Sequence, residues 1–190
     1  MAVEIELKAH VEDHVSMYAL LGTLCEYAFA FEKEDTYWKN SRLPPHTPKV
    51  RLRTQTRRLP DESVVSSVVV TQKVKELKGG IEVNDEREFT VSSVTEFQAF
   101  LKALRFTPSS SKQKHGWTFF YEGITVELVE VVPLGWFVEI EILTEDDESR
   151  TEAVEEGRKR LLAFLKTLGV PESAIESRYY SDMLKQHLAL

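Results

Sequence analysis

Glu4-Ile5-Glu6-Leu7-Lys8, close to the start of the chain, is the stretch whose reading decides the fold. In an extended strand, side chains alternate faces, so Glu4, Glu6 and Lys8 share one side while Val3, Ile5 and Leu7 share the other. The apolar side fits a protein core. Two carboxylates and an ammonium are costly to crowd onto the opposite side unless something uses them. A hard divalent cation would satisfy the glutamates, and an anionic substrate would satisfy the lysine. For one such pentapeptide a solvated strand face is the commoner explanation. Recurrence of the pattern changes that balance.

A second carboxylate pair, Glu139 and Glu141, alternates with Val138, Ile140 and Ile142. Cations follow the same rule: Arg51 and Arg53 around Leu52, Lys73 and Lys75 around Val74, Lys112 and Lys114 around Gln113. Each pair projects from one face of its own strand. Carboxylates are segregated to the first and last strands, cations to several between. The simplest object that unites them is a closed barrel with its polar faces inward. Such an interior would hold metal at one side and positive charge at the other. It suits a polyanion bridged to Mg²⁺ or Mn²⁺, because Arg and Lys bind phosphate oxygens through charge-assisted hydrogen bonds.

The 190 residues suffice for one well-buried domain, read as 1–190, and nothing suggests two. With 31 acidic and 24 basic residues the formal net charge is −7, which argues against nucleic acid as a partner. Cys25 is the only cysteine, so there is no internal disulfide and no Cys-based zinc site. The absence of a signal-peptide core and of any apolar run near about 18 residues predicts a soluble, cytoplasmic protein without membrane contact.

Eight strands are predicted near 3–10, 28–38, 49–58, 63–76, 81–91, 112–121, 124–132 and 135–144. A first helix near 12–25 places Val15, Leu20, Leu21 and Leu24 at helical spacing. Ser93 or Thr95 starts a second, with Phe97, Phe100, Leu101 and Leu104 as its apolar stripe. A third runs from about 149 to 168 and ends at Gly169, and a short one begins near 179. Mobile loops are expected around Pro44-Pro45-His46 and Pro108–Ser111, a hairpin turn at Lys78-Gly79-Gly80, and an acidic helix start at Glu145–Glu148. The fold class is α+β, an eight-stranded antiparallel barrel with helices packed outside. The five scattered histidines, the Ser109–Ser111 run and the Lys78-Gly-Gly turn lack the spacing of a zinc site, a serine nucleophile or a phosphate loop.

The order of these pairs resembles the CYTH superfamily, the triphosphate tunnel metalloenzymes, which include class IV adenylyl cyclases and thiamine triphosphatases. Glu4-x-Glu6-x-Lys8 matches its signature, and Asp35-x-Tyr37, Arg51-x-Arg53 and Thr71-x-Lys73 match its inner motifs. Lys112-x-Lys114 stands where Lys-x-Arg is usual, and Leu134-Gly135-Trp-Phe-Val-Glu139-Ile-Glu141 is similar to the family's Leu-Gly-x-Phe-x-Glu-Ile-Glu. Tyr180-Ser-Asp-Met-Leu184 resembles its closing motif. There are two departures. Where members carry Arg-x-Glu this chain has Glu86-Arg87-Glu88, leaving open whether Glu86 or Arg87 faces inward, and a usual Asp is replaced by Val129, with Glu127 on the same face.

The resemblance implies a tunnel that binds a small-molecule triphosphate (tripolyphosphate, ATP or thiamine triphosphate) with Mg²⁺ or Mn²⁺, as a monomer or homodimer. Glu4, Glu6, Glu139 and Glu141 would hold the metal, with Glu88 nearby, and Lys8, Glu4 and Glu6 would sit at the reacting phosphate. Lys8, Arg51, Arg53, Lys73, Lys75, Lys112 and Lys114 would neutralise the phosphate oxygens. Phosphoryl transfer needs positioning and charge stabilisation, with no covalent nucleophile. Triphosphate hydrolysis is the favoured activity, since the cradle alone suffices for it. A class IV adenylyl cyclase making cyclic AMP and pyrophosphate is the alternative, and a non-catalytic polyphosphate or nucleotide binder the third reading. One metal or two is left open by Val129.

Overall fold

The alternating segments become strands and the helically spaced ones become helices in a computed structural model that describes residues 2–44, 46–78, 81–145 and 150–188. The order is β1 (Ala2–His10), α1 (His14–Leu24), β2 (Glu26–Lys39), β3 (Val50–Arg58), β4 (Val64–Lys78) and β5 (Ile81–Val91). There follow α2 (Val94–Ala103), β6 (Thr107–Tyr121), β7 (Ile124–Val132), β8 (Gly135–Glu145), α3 (Arg150–Thr167), a single 3₁₀ turn (Glu172–Ala174) and α4 (Tyr180–His187). The strands form one closed barrel in the order β1-β5-β4-β3-β2-β6-β7-β8. All neighbours are antiparallel, and the β1–β8 ladder that shuts the barrel sets Glu6 opposite Glu141 and Lys8 opposite Glu139.

Two apolar layers lie outside this wall. Val3, Ile5 and Leu7 of β1, with Val126, Leu128, Val138 and Ile140, are buried under Met17 and Leu21 of α1 and Val154, Leu161 and Leu165 of α3. Trp38, Leu52 and Val70 are covered by Leu101 of α2. A third cluster is made from inward-facing residues: Phe31, Val129, Val131 and Phe137 meet Tyr180 and Met183 of α4, giving the barrel interior an apolar end. Burying a side chain of this size is worth roughly 1.5–3 kcal/mol, so each helix is held by a handful of residues.

Two glycines allow close approach. A Cβ on Gly157 would stand 2.5 Å from Ile5 Cδ1, so α3 rests directly on β1 there. One on Gly116 of β6 would strike the Leu128 carbonyl oxygen of β7.

Some local expectations are corrected. Pro108–Ser111 is strand, not loop: β6 continues past Lys112 along β2, pairing Ser110 with Tyr37 and Pro108 with Trp38 across a register shift. The Ser109 hydroxyl donates to the Tyr37 carbonyl at 3.0 Å. Ser93 is the α2 cap, its side chain accepting from the Glu96 amide at 3.2 Å. Only Leu101 of the α2 stripe is buried, whereas Phe100 and Leu104 are 56% and 49% exposed. In α1, Val15 is likewise exposed at 67% and the buried pair is Met17 and Leu21. Gly169, at φ 71°, ends α3 as expected. Pro45, the Gly79-Gly80 turn and the acidic stretch 146–148 lie outside the described residues.

Candidate active site

The inward faces of the strands enclose a cavity of about 420 Å³, a size typical of small-molecule sites, roughly 300–1,000 Å³. Eight glutamates and nine lysines or arginines line it. The interior is therefore a nearly matched set of opposite charges, with most carboxylates on the adjacent β8, β1 and β5 and most cations on β4, β3 and β6, the two sides that the strand-by-strand segregation suggested. Alternation explains how this arises: each strand gives every second residue to the cavity, and the register sets acidic strands beside basic ones.

The carboxylates of β1, β5 and β8 gather around Lys73. Its ammonium bonds Glu4 at 2.6 Å and reaches Glu6 at 3.4 Å. Burial holds the Glu4 carboxyl well above the usual carboxylate range against the pull of Lys73, and Glu6 and Glu141 add to the rise. Burial acts the same way on Glu6, yet Lys73, a hydrogen bond with Glu4 and Lys75 outweigh it and hold that group well below. Glu141 is pushed up to about 8, by burial first and then by the neighbouring Glu127 and Glu6. Glu139 is chelated by Lys114 at 2.6 and 2.7 Å, which overcomes burial and lowers its pKa.

This donor set is all oxygen and largely enclosed, with the Glu4 and Glu141 carboxyls held above their usual range, which suits a hard divalent cation such as Mg²⁺ or Mn²⁺. Among the described residues no three carboxylate, imidazole or thiol groups are drawn close enough to grip an ion as they stand. Lys73 and Lys114 hold several of the oxygens instead, so a cation would take the place of ammonium contacts.

The cations of β3, β4 and β6 form the facing wall. Arg53 grips Asp35 with two hydrogen bonds of 2.6 and 2.9 Å. Burial alone would raise that carboxyl; Arg53 and Lys112 instead hold it far below its ordinary value. Arg51 bonds Thr71 at 2.8 Å and Glu86 at 3.2 Å. Lys112 reaches Asp35 at 3.5 Å and is pushed down to about 7 by burial and by Lys114 and Arg53 beside it. Three ammoniums crowd one ring: Lys8, Lys112 and Lys114 lie 5.3, 5.2 and 4.9 Å from the centroid of Tyr180 on α4. Burial and then Glu139 push the phenol of Tyr180 well above its usual range.

The anticipated residues thus converge, with refinements. Glu4, Glu6, Glu139 and Glu141 and the six cations Arg51, Arg53, Lys73, Lys75, Lys112 and Lys114 all line the cavity. Lys8 shares their inward face but does not line the cavity; it is buried, with its ammonium on Glu82 at 2.6 Å. Glu86 and Glu88 face inward and Arg87 outward, where it bonds Gln72. Glu86 is the one coupled to Lys73 and Glu4, while the half-exposed Glu88 side chain sits at the rim with Thr71 and Arg51. Val129 belongs to the apolar end and offers no donor. Lys33, Glu82 and Asn84 went unnoticed in the sequence. Alternation carries Lys33 with Asp35 and Tyr37, and carries Glu82 and Asn84 with Glu86, but flanking charges on the other face of each strand hide the pattern.

Among solved structures, the PH1819 protein from Pyrococcus horikoshii OT3 is similar at 26% identity, with a TM-score of 0.78, covering 97% of this chain and 99% of that one. The PH1012 protein from the same organism follows at 25% identity and a TM-score of 0.72, covering 93% and 96%. HpAC1 from Hippeastrum shares the fold at 16% identity and a TM-score of 0.57, covering 98% and 96%. No curated protein matches the sequence. The model of the CYTH domain matches residues 2–180, almost the whole chain, and the protein is therefore a member of the CYTH domain family.

Proposed function

We propose that the protein is a divalent-metal-dependent enzyme that hydrolyses inorganic or organic triphosphates inside its barrel. One observation carries this reading: glutamates of β1 and β8 and cations of β3, β4 and β6 face the same enclosed cavity. Glu4, Glu6, Glu139 and Glu141 would hold Mg²⁺ or Mn²⁺, with Glu86 in support and Glu88 nearer the entrance. When bound, the metal neutralises phosphate charge and lowers the pKa of a coordinated water. Arg51, Arg53, Lys73, Lys75, Lys112 and Lys114 orient the phosphate chain and stabilise charge on the transferring group. The bidentate Asp35 clamp fixes the guanidinium of Arg53 before substrate arrives, so its ordering cost on binding is small. The closed wall keeps bulk water from the remaining phosphates. The barrel of the Hippeastrum protein goes with a dominant triphosphatase activity, in keeping with hydrolysis.

Product analysis with inorganic tripolyphosphate and with ATP, each with Mg²⁺ and Mn²⁺, tests the reading. The expected result is phosphate and pyrophosphate from tripolyphosphate at least as fast as ATP turnover. Cyclic AMP from ATP without phosphate release would replace hydrolysis by the cyclase reaction, and binding without turnover would leave a triphosphate-binding module.

A further inference from the structure

Glu127 of β7 stands directly opposite Glu139 of β8 and close enough to Glu141 to raise its pKa. By position it extends the carboxylate group of the candidate metal site by one strand. Its oxygen is already taken: the Lys33 ammonium of β2 bonds it at 2.5 Å. Lys33 is only 7% exposed, and its ammonium lies 4.0 Å from the centroid of Phe31. Both contacts pin the charge in place, since a ring face attracts a desolvated cation. The next residues along the β7 inner face, Val129 and Val131, are apolar and offer no other acceptor.

We infer that the Lys33 ammonium is a built-in monovalent substitute for a metal ion at Glu127, so that the cavity takes its divalent cation on the β1–β8 side alone. The charge accounting favours this. A divalent cation at Glu127 would have to sit beside three fixed cations, because Lys33, Lys114 and Arg53 are mutual neighbours at this wall. Removing one of them, and the one bonded to Glu127, changes the local balance most. Lys33 is then a residue that sets metal stoichiometry, and it has no part in the chemistry at phosphorus.

The inference rests on the metal-dependent reading above, and Mn²⁺ titration of the whole protein without substrate, followed calorimetrically and by the Mn²⁺ spin signal, separates the two. Wild-type protein is expected to bind one Mn²⁺. No binding at all would overturn both the metal-dependent reading and this inference; two comparable sites in wild type would overturn the inference alone. Lys33→Met, close in volume but uncharged, should gain a second Mn²⁺ or bind the first at least tenfold more tightly. A folded variant with wild-type stoichiometry and affinity would refute the substitution. Because freeing the half-buried Glu127 can unfold the protein, Glu127→Gln is the second arm. It should leave Mn²⁺ affinity within about threefold of wild type, while a tenfold loss would show that Glu127 is itself a ligand.

Discussion

Glu141 carries an unmet electrostatic demand among the candidate metal ligands. Its carboxyl, ordinarily acidic, titrates at about 8 because it is buried beside Glu127 and Glu6. A raised folded-state pKa means that the native protein holds the proton more tightly than the unfolded chain. The associated stability is present at low pH and is lost as pH rises from about 4.5 to about 8. Glu141→Gln removes that dependence, so its melting temperature without metal should gain on wild type more at pH 9 than at pH 5. Under the proposed function the same change deletes a metal ligand, and turnover should fall by about a hundredfold or more, the scale of losing a central electrostatic contact. Equal pH profiles of melting, or undiminished turnover, would remove Glu141 from the site. Lys112 titrates at about 7, pushed down by burial and its cationic neighbours. A bound polyanion reverses that push, so metal-free tripolyphosphate binding at pH 8 should take up a proton. Calorimetry in two buffers of different ionisation enthalpy reads it, and identical heats in both would place Lys112 away from phosphate.

At the level of elements, strand alternation was legible wherever one face was uniformly apolar. Arg51 and Arg53 straddle Leu52, and Glu139 and Glu141 alternate with valine and isoleucine, so their direction could be read without a structure. Where both faces are polar the signal fails. Lys33 lies between Glu32 and Glu34, and Pro108–Ser111 carries turn-forming residues inside a long β2–β6 ribbon. The helix α4 was foreseen, but its role was not, because the ammoniums gathered on Tyr180 come from two strands distant in sequence, β1 and β6. The two glycine contacts separate backbone from side-chain crowding. Gly116→Ala sets a methyl against the Leu128 carbonyl, which cannot move without opening the β6–β7 ladder, whereas Gly157→Ala meets the mobile end of Ile5. Denaturant unfolding should therefore show Gly116→Ala as the costlier change, above about 3 kcal/mol, with Gly157→Ala within the 1–3 kcal/mol of ordinary overpacking. The reverse order would mean that the β7 backbone yields more easily than the α3–β1 packing.

Considered whole, the molecule is net acidic, at −7, around an interior of nearly balanced charge. Buried ion pairs are a weak source of stability, because desolvation offsets much of their attraction. The cavity is therefore held in readiness for a ligand more than it is held together by its own pairs. A ligand that binds only the closed barrel stabilises it by mass action, by about 2.7 kcal/mol at a hundred times its dissociation constant. Tripolyphosphate should raise the melting temperature accordingly, and orthophosphate, which spans fewer cations, should do so much less. Equal shifts would point to nonspecific anion binding. The ladder that shuts the barrel joins β1, the first barrel strand along the described chain, to β8, the last. Glu4 and Glu6 therefore meet Glu139 and Glu141 only once the last strand has been made. A chain that stops short of β8 has only two of these four carboxylates and an open sheet, so under the proposed function it would lack half of its metal ligands. Under the proposed function, activity would certify that synthesis ran past β8, and two separately expressed halves should show it only by joining across that seam.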